Sequence, residues 1–313
     1  MTGRLVAISG ATGFVGRHVV RGLVERGYRV RALVRREADL PAGATSAVIG
    51  DLRRPAMLGE ALAGVEAIVH SAGLAHQPAG VDEAEMLAIN ADATETLARA
   101  GERARVRRFV FLSSVRAQSG PSAARTLTEE MAPAPIDAYG RSKLRAEAAL
   151  MRLDIDWAAL RPVLVYGAGA RGNLESLLAL ARRSVPLPFG AARAPRSLLA
   201  VDGLVEAVAT LLEAPGPLRR PFLVADERPL GLADMLRALR RGLGRSPGLL
   251  PVPPVLLAPA LRLLGRGDMA ARLFEPLVVD TSALRSLGWR PVTDTARRLE
   301  AWAAATRVEG GTP

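Results

Sequence analysis

Arg4-Leu5-Val6-Ala7-Ile8-Ser9-Gly10-Ala11-Thr12-Gly13-Phe14-Val15-Gly16 lies near the start of this 313-residue chain and decides its fold class. Arg4 to Ser9 reads as a short buried strand, and Arg17 to Arg26 reads as the helix that follows. Between them, Gly10 permits a tight turn, Gly13 lets backbone approach a pyrophosphate, and Gly16 lets helix pack closely on strand. The unpaired N–H groups at the helix start, around Phe14 and Val15, would face that anion, and the helix dipole favours it. Glycines also punctuate ordinary loops, so the run takes its weight from its place between strand and helix.

Tyr139-Gly140-Arg141-Ser142-Lys143 holds the only lysine of the chain, against a Lys+Arg total of 42. Wherever a positive charge suffices the chain uses arginine, so a lone lysine suggests a position that needs a compact, three-donor ammonium. Four residues apart on a helix, Tyr139 and Lys143 share a face. An ammonium beside a phenol stabilises the phenolate and lowers the tyrosine pKa, which makes it a usable acid/base. The alternative is the chance survival of one lysine in an arginine-rich chain.

The composition, 49% hydrophobic and 23% charged, is that of a soluble globular protein of one or two domains. With no cysteine there are no disulfides, thiolate metal sites or thiol nucleophiles. His18, His70 and His76 stand at no metal-ligand spacing, so no metal is expected, and His70, at the end of an apolar strand, reads as structural. A net charge of +11 raises nucleic acid as a partner. The arginines are dispersed, however, aromatics are only 4% and no nucleic-acid module is present, so no nucleic-acid partner is expected. A subset of arginines suits the phosphates of a dinucleotide and an anionic substrate. The Gly-rich turn follows Met1 so closely that a secretory signal is not expected, and the cytoplasm is the expected location. The apolar stretch 249–264 is broken by Pro251, Pro253, Pro254, Pro259 and Arg262, so no stable membrane insertion is expected. It reads as a core or substrate-domain segment, with contact to a membrane surface as the other reading.

The first half alternates strand-like and helix-like segments, the pattern of an α/β doubly wound parallel sheet. Strands are expected at 29–34, 46–49, 67–70, 108–112 and 157–163, and helices at 86–104 and 137–152. Ligands in such sheets bind beyond the carboxyl ends of the strands, where Gly10, Asp51, Ala72 and Ser114 fall. Beyond Tyr166-Gly167 the alternation fades. Residues 1–166 are therefore read as a dinucleotide-binding domain, joined by about 201–225, and 167–313 as an interleaved, smaller substrate-binding lobe.

These features together resemble an extended short-chain dehydrogenase/reductase of the NAD-dependent epimerase/dehydratase group. The resemblance rests on Gly10-x-x-Gly13-x-x-Gly16, Asp51-Leu52, Ala72-Gly73, Ser113-Ser114, Tyr139-x-x-x-Lys143 and Arg161-Pro162-x-x-Val165-Tyr166-Gly167. Arg196, Val201-Asp202 and Leu287-Gly288-Trp289-Arg290-Pro291 complete it. It implies that Tyr139 is the general acid/base and that Lys143 binds the nicotinamide ribose and depresses the tyrosine pKa. Ser114 would hydrogen-bond the reacting oxygen. Asp51, Leu52, Ala72 and Gly73 would complete the cofactor site. Asn173, Leu174 and Arg196, with Arg272 a weaker candidate, would hold the diphosphate of a nucleotide sugar, in a homodimer paired through helices.

Two departures bear on the reaction. NAD-preferring members end the second strand with an acidic residue, whereas this chain has Val34-Arg35-Arg36, and Arg35 suits a 2′-phosphate. NADP(H) is thus expected over NAD(H), although Glu37 and Asp39 lie close enough to keep NAD open. Dehydratases follow the catalytic Ser/Thr with Asp-Glu, but here Val115-Arg116 follow Ser114, which argues against 4,6-elimination. The expectation is chemistry at C4 of a nucleotide sugar carrying uridine diphosphate, by a 4-ketoreductase, which Arg35 favours, with a 4-epimerase that retains NAD as the alternative. A reductase of a non-sugar carbonyl, or a catalytically silent nucleotide-binding subunit, remains as a further alternative.

Overall fold

The computed structural model describes residues 3–74, 82–170 and 172–309; His76 lies outside them. Seven parallel strands form one sheet: β1 (Leu5–Ser9), β2 (Arg29–Val34), β3 (Ala44–Val48), β4 (Ala67–His70), β5 (Arg108–Leu112), β6 (Trp157–Pro162) and, out of numerical sequence, β9 (Arg220–Val224). Their order is β3-β2-β1-β4-β5-β6-β9. Between β6 and β9, β7 (Leu164–Tyr166) and β8 (Leu198–Ala200) pair in a separate two-stranded parallel sheet.

The strand sequences explain why the sheet is covered on both faces. Side chains alternate across a strand, so Val6 and Ile8 enter one core cluster while Leu5 and Ala7 enter the other. The first cluster is closed by Val19, Val20 and Leu23 of the helix Phe14–Glu25 and by Leu204, Val208 and Leu211 of the helix Val201–Glu213. The second is closed by Leu97 from Ala93–Arg103 and by Ala146 and Leu150 from Ala138–Leu150. Strands apolar on both faces are what a doubly covered parallel sheet requires.

The helix expected over 86–104 begins earlier, at Glu83, where the Asp82 side chain accepts from Glu85 N and caps it. It is also interrupted by a π turn over Ala88–Asp92. A third core, built from Leu174, Leu178, Leu232, Leu236, Leu239, Leu299 and Trp302, belongs to the segments above the sheet. Trp289 fastens the chain's last part to the sheet layer by donating its indole N–H to Gly203 O at 3.0 Å. Among the described residues, no helix is long and apolar enough to cross a membrane.

Candidate active site

The strand order reverses direction between β1 and β4, and the loops leaving these two strands touch. Gly10, at φ +73°, is so close to the neighbouring loop that a Cβ would stand 2.5 Å from Ala72 N. A Cβ on Gly16 would meet Gly10 O at 2.0 Å. Both glycines are therefore dictated by the packing of loop, strand and helix. Gly13 differs: its nearest neighbour would be Gly10 O at 3.4 Å, an ordinary contact, so the protein's own packing does not demand glycine there. The helix it precedes has no side-chain cap and no acidic residue in its first turn, so its N–H groups remain available to an anion. Phe14 and Val15 open that helix, and His18 Nε2 lies 2.9 Å from Ala168 O, tying it to the loop after β7.

Around this turn stand the other strand ends. Asp51 follows β3; its carboxylate accepts from Arg53 Nη2 at 2.6 Å, and Arg53 holds its pKa down to about 2. Leu52 packs against the second core cluster. Arg35 and Arg36 are exposed just beyond β2, while Asp39 faces Arg17 at 3.4 Å. Ala72 and Gly73 follow β4, and a Cβ on Gly73 would stand 3.4 Å from Lys143 Nζ.

Lys143 is buried and its ammonium donates to Leu112 O at 2.9 Å, which anchors the helix Ala138–Leu150 to the end of β5. Burial lowers its pKa to about 8, and Glu147, one turn on, opposes that shift. Glu147 is itself buried, bidentate with Arg161, and accepts from Ser113 Oγ. Ser114 caps the short 3₁₀ turn Val115–Ala117 by accepting from Arg116 N, and its hydroxyl is near enough to Tyr139 to favour ionisation of the phenol. Gly140 makes this approach possible, because a Cβ there would meet Arg116 O at 2.3 Å. Arg116 is ion-paired with Asp137, the residue that caps the helix by accepting from Gly140 N at 2.7 Å.

One expectation is reversed. Lys143 does not bring the Tyr139 pKa down in this structure; desolvation pushes it up to about 12, and the Ser114 hydroxyl only partly offsets it. The physical reason is distance. The ammonium lies 5.9 Å from the centre of the phenol ring, and its hydrogen bond goes to a carbonyl.

Asn90 is the residue that sequence reasoning missed. Fully buried in the π turn, its side chain accepts from Leu74 N at 2.8 Å and donates to Leu74 O at 3.1 Å and Ser142 Oγ at 2.9 Å. It thus clamps the loop after Gly73 to the Tyr/Lys helix. The available signal was an asparagine on the apolar face of an expected helix. His70 is sealed in: Nδ1 lies 2.5 Å from Ser9 Oγ, Nε2 lies 2.9 Å from Thr94 Oγ1, and burial lowers its pKa to about 3. No group of residues suited to a metal occurs among the described residues.

The diphosphate candidates are less uniform. Asn173 is exposed at the start of the helix Asn173–Ala181, but the Leu174 side chain is buried in the third core and leaves only its backbone for a ligand. Arg196 donates to Glu275 O at 2.7 Å, Pro121 O at 2.9 Å and Ala271 O at 3.4 Å. Its pKa falls to about 10, first from burial and then from repulsion by Arg272 and Arg116. Arg272 is exposed.

A sequence profile of the NAD-dependent epimerase/dehydratase family matches residues 6–224. A UDP-glucose 4-epimerase of Vibrio cholerae is 33% identical over 298 residues, covering 91% of this chain and 90% of that protein. A ceramide reductase of Caulobacter vibrioides is also 33% identical, over 270 residues, covering 82% and 77%. The solved structure of MoeE5 in complex with UDP-glucose and NAD has the same fold, with a TM-score of 0.76 and 24% identity over 98% of this chain and 99% of its own.

Proposed function

This chain belongs to the NAD-dependent epimerase/dehydratase family, and within it we propose a nucleotide-sugar 4-epimerase that oxidises and re-reduces C4 of a uridine diphosphate sugar. The observation that carries the reading is the convergence of Ser114, Tyr139 and Lys143 beyond the carboxyl ends of β4 and β5, beside the glycine turn. The likeness to the Vibrio cholerae epimerase over nearly the whole chain supports the substrate class.

The residues present fit the dinucleotide. Gly13 has room for a pyrophosphate, uncapped N–H groups at Phe14 and Val15 are there to receive it, and Asp51 with Leu52 lies where the adenosine end would reach. Gly73 and Lys143 lie side by side to hold the nicotinamide ribose. When bound, the nicotinamide would supply the hydride acceptor and donor, taking up the C4 hydrogen with its electron pair and returning both.

The chain's own residues handle the proton and the charge. Tyr139 accepts the proton of the C4 hydroxyl as C4 becomes a ketone, and returns it when the alcohol re-forms on the other face. The Ser114 hydroxyl stays within reach of the same oxygen and steadies the charge that develops on it. Lys143, whose charge Glu147 favours against burial, would hold the nicotinamide ribose beside Tyr139, and the positive charge that the bound nicotinamide would supply is what would lower the tyrosine pKa. Arg272, Arg196 and Arg116 provide positive potential for the diphosphate, with the exposed Arg272 free to contact it. The lobe over 167–313, without Val201–Glu213 and β9, is the substrate-binding part.

A second reading, 4-keto reduction with NADP(H), is favoured by Arg35, exposed at the end of β2 where a 2′-phosphate would lie. The ceramide reductase likeness extends that reading to a non-sugar carbonyl. Mass spectrometry of the purified protein, with titration of the stripped protein by NAD and NADPH and an assay of UDP-glucose to UDP-galactose conversion, separates the readings. Tightly retained NAD with interconversion supports the epimerase. Loose binding that prefers NADPH overturns it in favour of the reductase, and absence of any UDP-ligand binding points to the non-sugar carbonyl.

A further inference from the structure

The proposed chemistry makes no use of the apolar face carried by the helical hairpin of Pro254–Leu263 and Gly267–Phe274. The first of these helices buries none of its residues, and the second buries only Ala270. Six of the twelve exposed large apolar side chains among the described residues lie between positions 250 and 269: Leu250, Val255, Leu256, Leu263, Leu264 and Met269. Leu263 is 89% exposed, Leu264 73% and Val255 72%. Single exposed leucines are normal, but a cluster of this kind marks an interaction surface.

The cluster has a direction. At about 100° per residue, Val255, Pro259, Leu263 and Leu256 fall within one arc of roughly 100° on the first helix. Arg262 lies next to that arc and Arg266 follows at the turn, whereas Asp268 is the only acid between positions 249 and 274. Arg262 reaches Glu275 at 3.0 Å, and Arg266 forms no ion pair among the described residues.

This charge pattern selects the occupant. A second copy seated symmetrically on the same face would bring arginines against arginines in a chain that already carries +11. An anionic lipid surface offers acyl chains to the leucines and headgroup phosphates to the arginines. A ten-residue helix is about 15 Å long, half of what a bilayer core needs, so it would lie in the interface. The hairpin is also tied to the substrate lobe, because Arg196 donates to Ala271 O and Glu275 O at its end.

We propose that the hairpin 254–274 docks the enzyme on an anionic membrane surface, with the Val255–Leu256–Leu263 face in the acyl boundary and Arg262 and Arg266 among the headgroups. The test is flotation of the full chain with vesicles of mixed phosphatidylcholine and phosphatidylglycerol, against vesicles of phosphatidylcholine alone. Wild type should float with the anionic vesicles and be partly released by salt. The double variant Leu256→Glu/Leu263→Glu should bind roughly tenfold more weakly or worse, and Arg266→Glu several-fold more weakly. Both positions are exposed, so circular dichroism and dinucleotide retention should stay at wild-type values. Wild-type protein that floats with neither vesicle overturns the proposal. So does a double variant that floats undiminished, or one that loses only concentration-dependent self-association, which would assign the face to a second copy. Turnover of a soluble nucleotide sugar is read separately, so failure of this proposal and failure of the epimerase reading are distinguishable.

Discussion

Lys143 and Arg196 are both cations drawn out of water and held by backbone carbonyls, and burial lowers the pKa of each. They nevertheless do different work. Lys143 donates to one carbonyl, Leu112 O, from a helix packed on the sheet, which leaves further ammonium protons facing the Gly73 loop. Arg196 has both terminal nitrogens taken up by three carbonyls, two at the end of the helix Gly267–Phe274 and one in the loop at Pro121. At the strand ends, regular elements fix the backbone, so a polar group can be left available for ligand. In the lobe above, a guanidinium ties a helix end to a loop.

The strongest way to break that contrast is at the strand ends. Tyr139→Phe should lower kcat by roughly 10²- to 10⁴-fold, the usual weight of a positioned acid/base, with an unchanged melting temperature. Lys143→Arg should also lower it substantially although the charge is kept, because a planar guanidinium cannot follow the ammonium into the space between Leu112 O and Gly73. Wild-type turnover in Lys143→Arg would show that any buried cation serves, and the distinction from Arg196 would collapse.

Beneath the site, His70 gives a test by pH. Its folded pKa of about 3 lies below the ordinary value near 6.5, so the unfolded chain takes up the proton first as pH falls. The stability that neutral His70 provides is therefore complete above pH 6.5 and is lost progressively toward pH 3. At about 1.4 kcal/mol per pH unit the loss approaches roughly 3 kcal/mol by pH 4. Urea unfolding of wild type and His70→Gln at pH 7 and pH 4 checks it. The variant should lose less stability on acidification, and equal losses would mean that the buried histidine is not the acid-sensitive group.

The same contrast explains what the sequence made legible. β1, β4, β5 and β6 could be read because strands buried on both faces are nearly continuous apolar runs, and the glycine turn and the Tyr139/Lys143 pair depend on spacing within single elements. Asn90 was not legible, since its role comes from a π turn and from a loop sixteen residues away in sequence. The Glu147–Arg161 pair links a helix to a strand, and neither residue announces the other. The direction of the Tyr139 pKa needed the desolvation of its phenol as well as the position of its neighbour. For Arg196 the motif picked out an arginine with a special place, but only the fold shows that place to be a junction between a helix end and a loop.

Arg196→Ala sharpens the comparison from the lobe side. Removing the guanidinium leaves Glu275 O, Pro121 O and Ala271 O short of donors, which should cost about 2 kcal/mol of stability. The unfolding midpoint should fall and KM for the nucleotide sugar should rise, while dinucleotide retention holds. A raised KM with an unchanged midpoint would instead make Arg196 a substrate ligand with no structural duty.

The smallest expected effect is at Arg35, which belongs to the strand-end region yet, like many arginines of this chain, is exposed to solvent. If Arg35 receives a 2′-phosphate, Arg35→Ser should weaken NADPH binding by roughly tenfold and leave NAD binding nearly unchanged, since a charge-assisted hydrogen bond is lost from one ligand only. Isothermal titration of both dinucleotides into stripped wild type and variant reads the ratio. An unchanged ratio would make Arg35 a solvated charge and would remove the one strand-end feature that favours a reductase over an epimerase. The acidic alternative is also weak, because Asp39 is engaged by Arg17. With Asp39 turned to Arg17, the change in that ratio on substitution reports on Arg35 alone and is the decisive quantity.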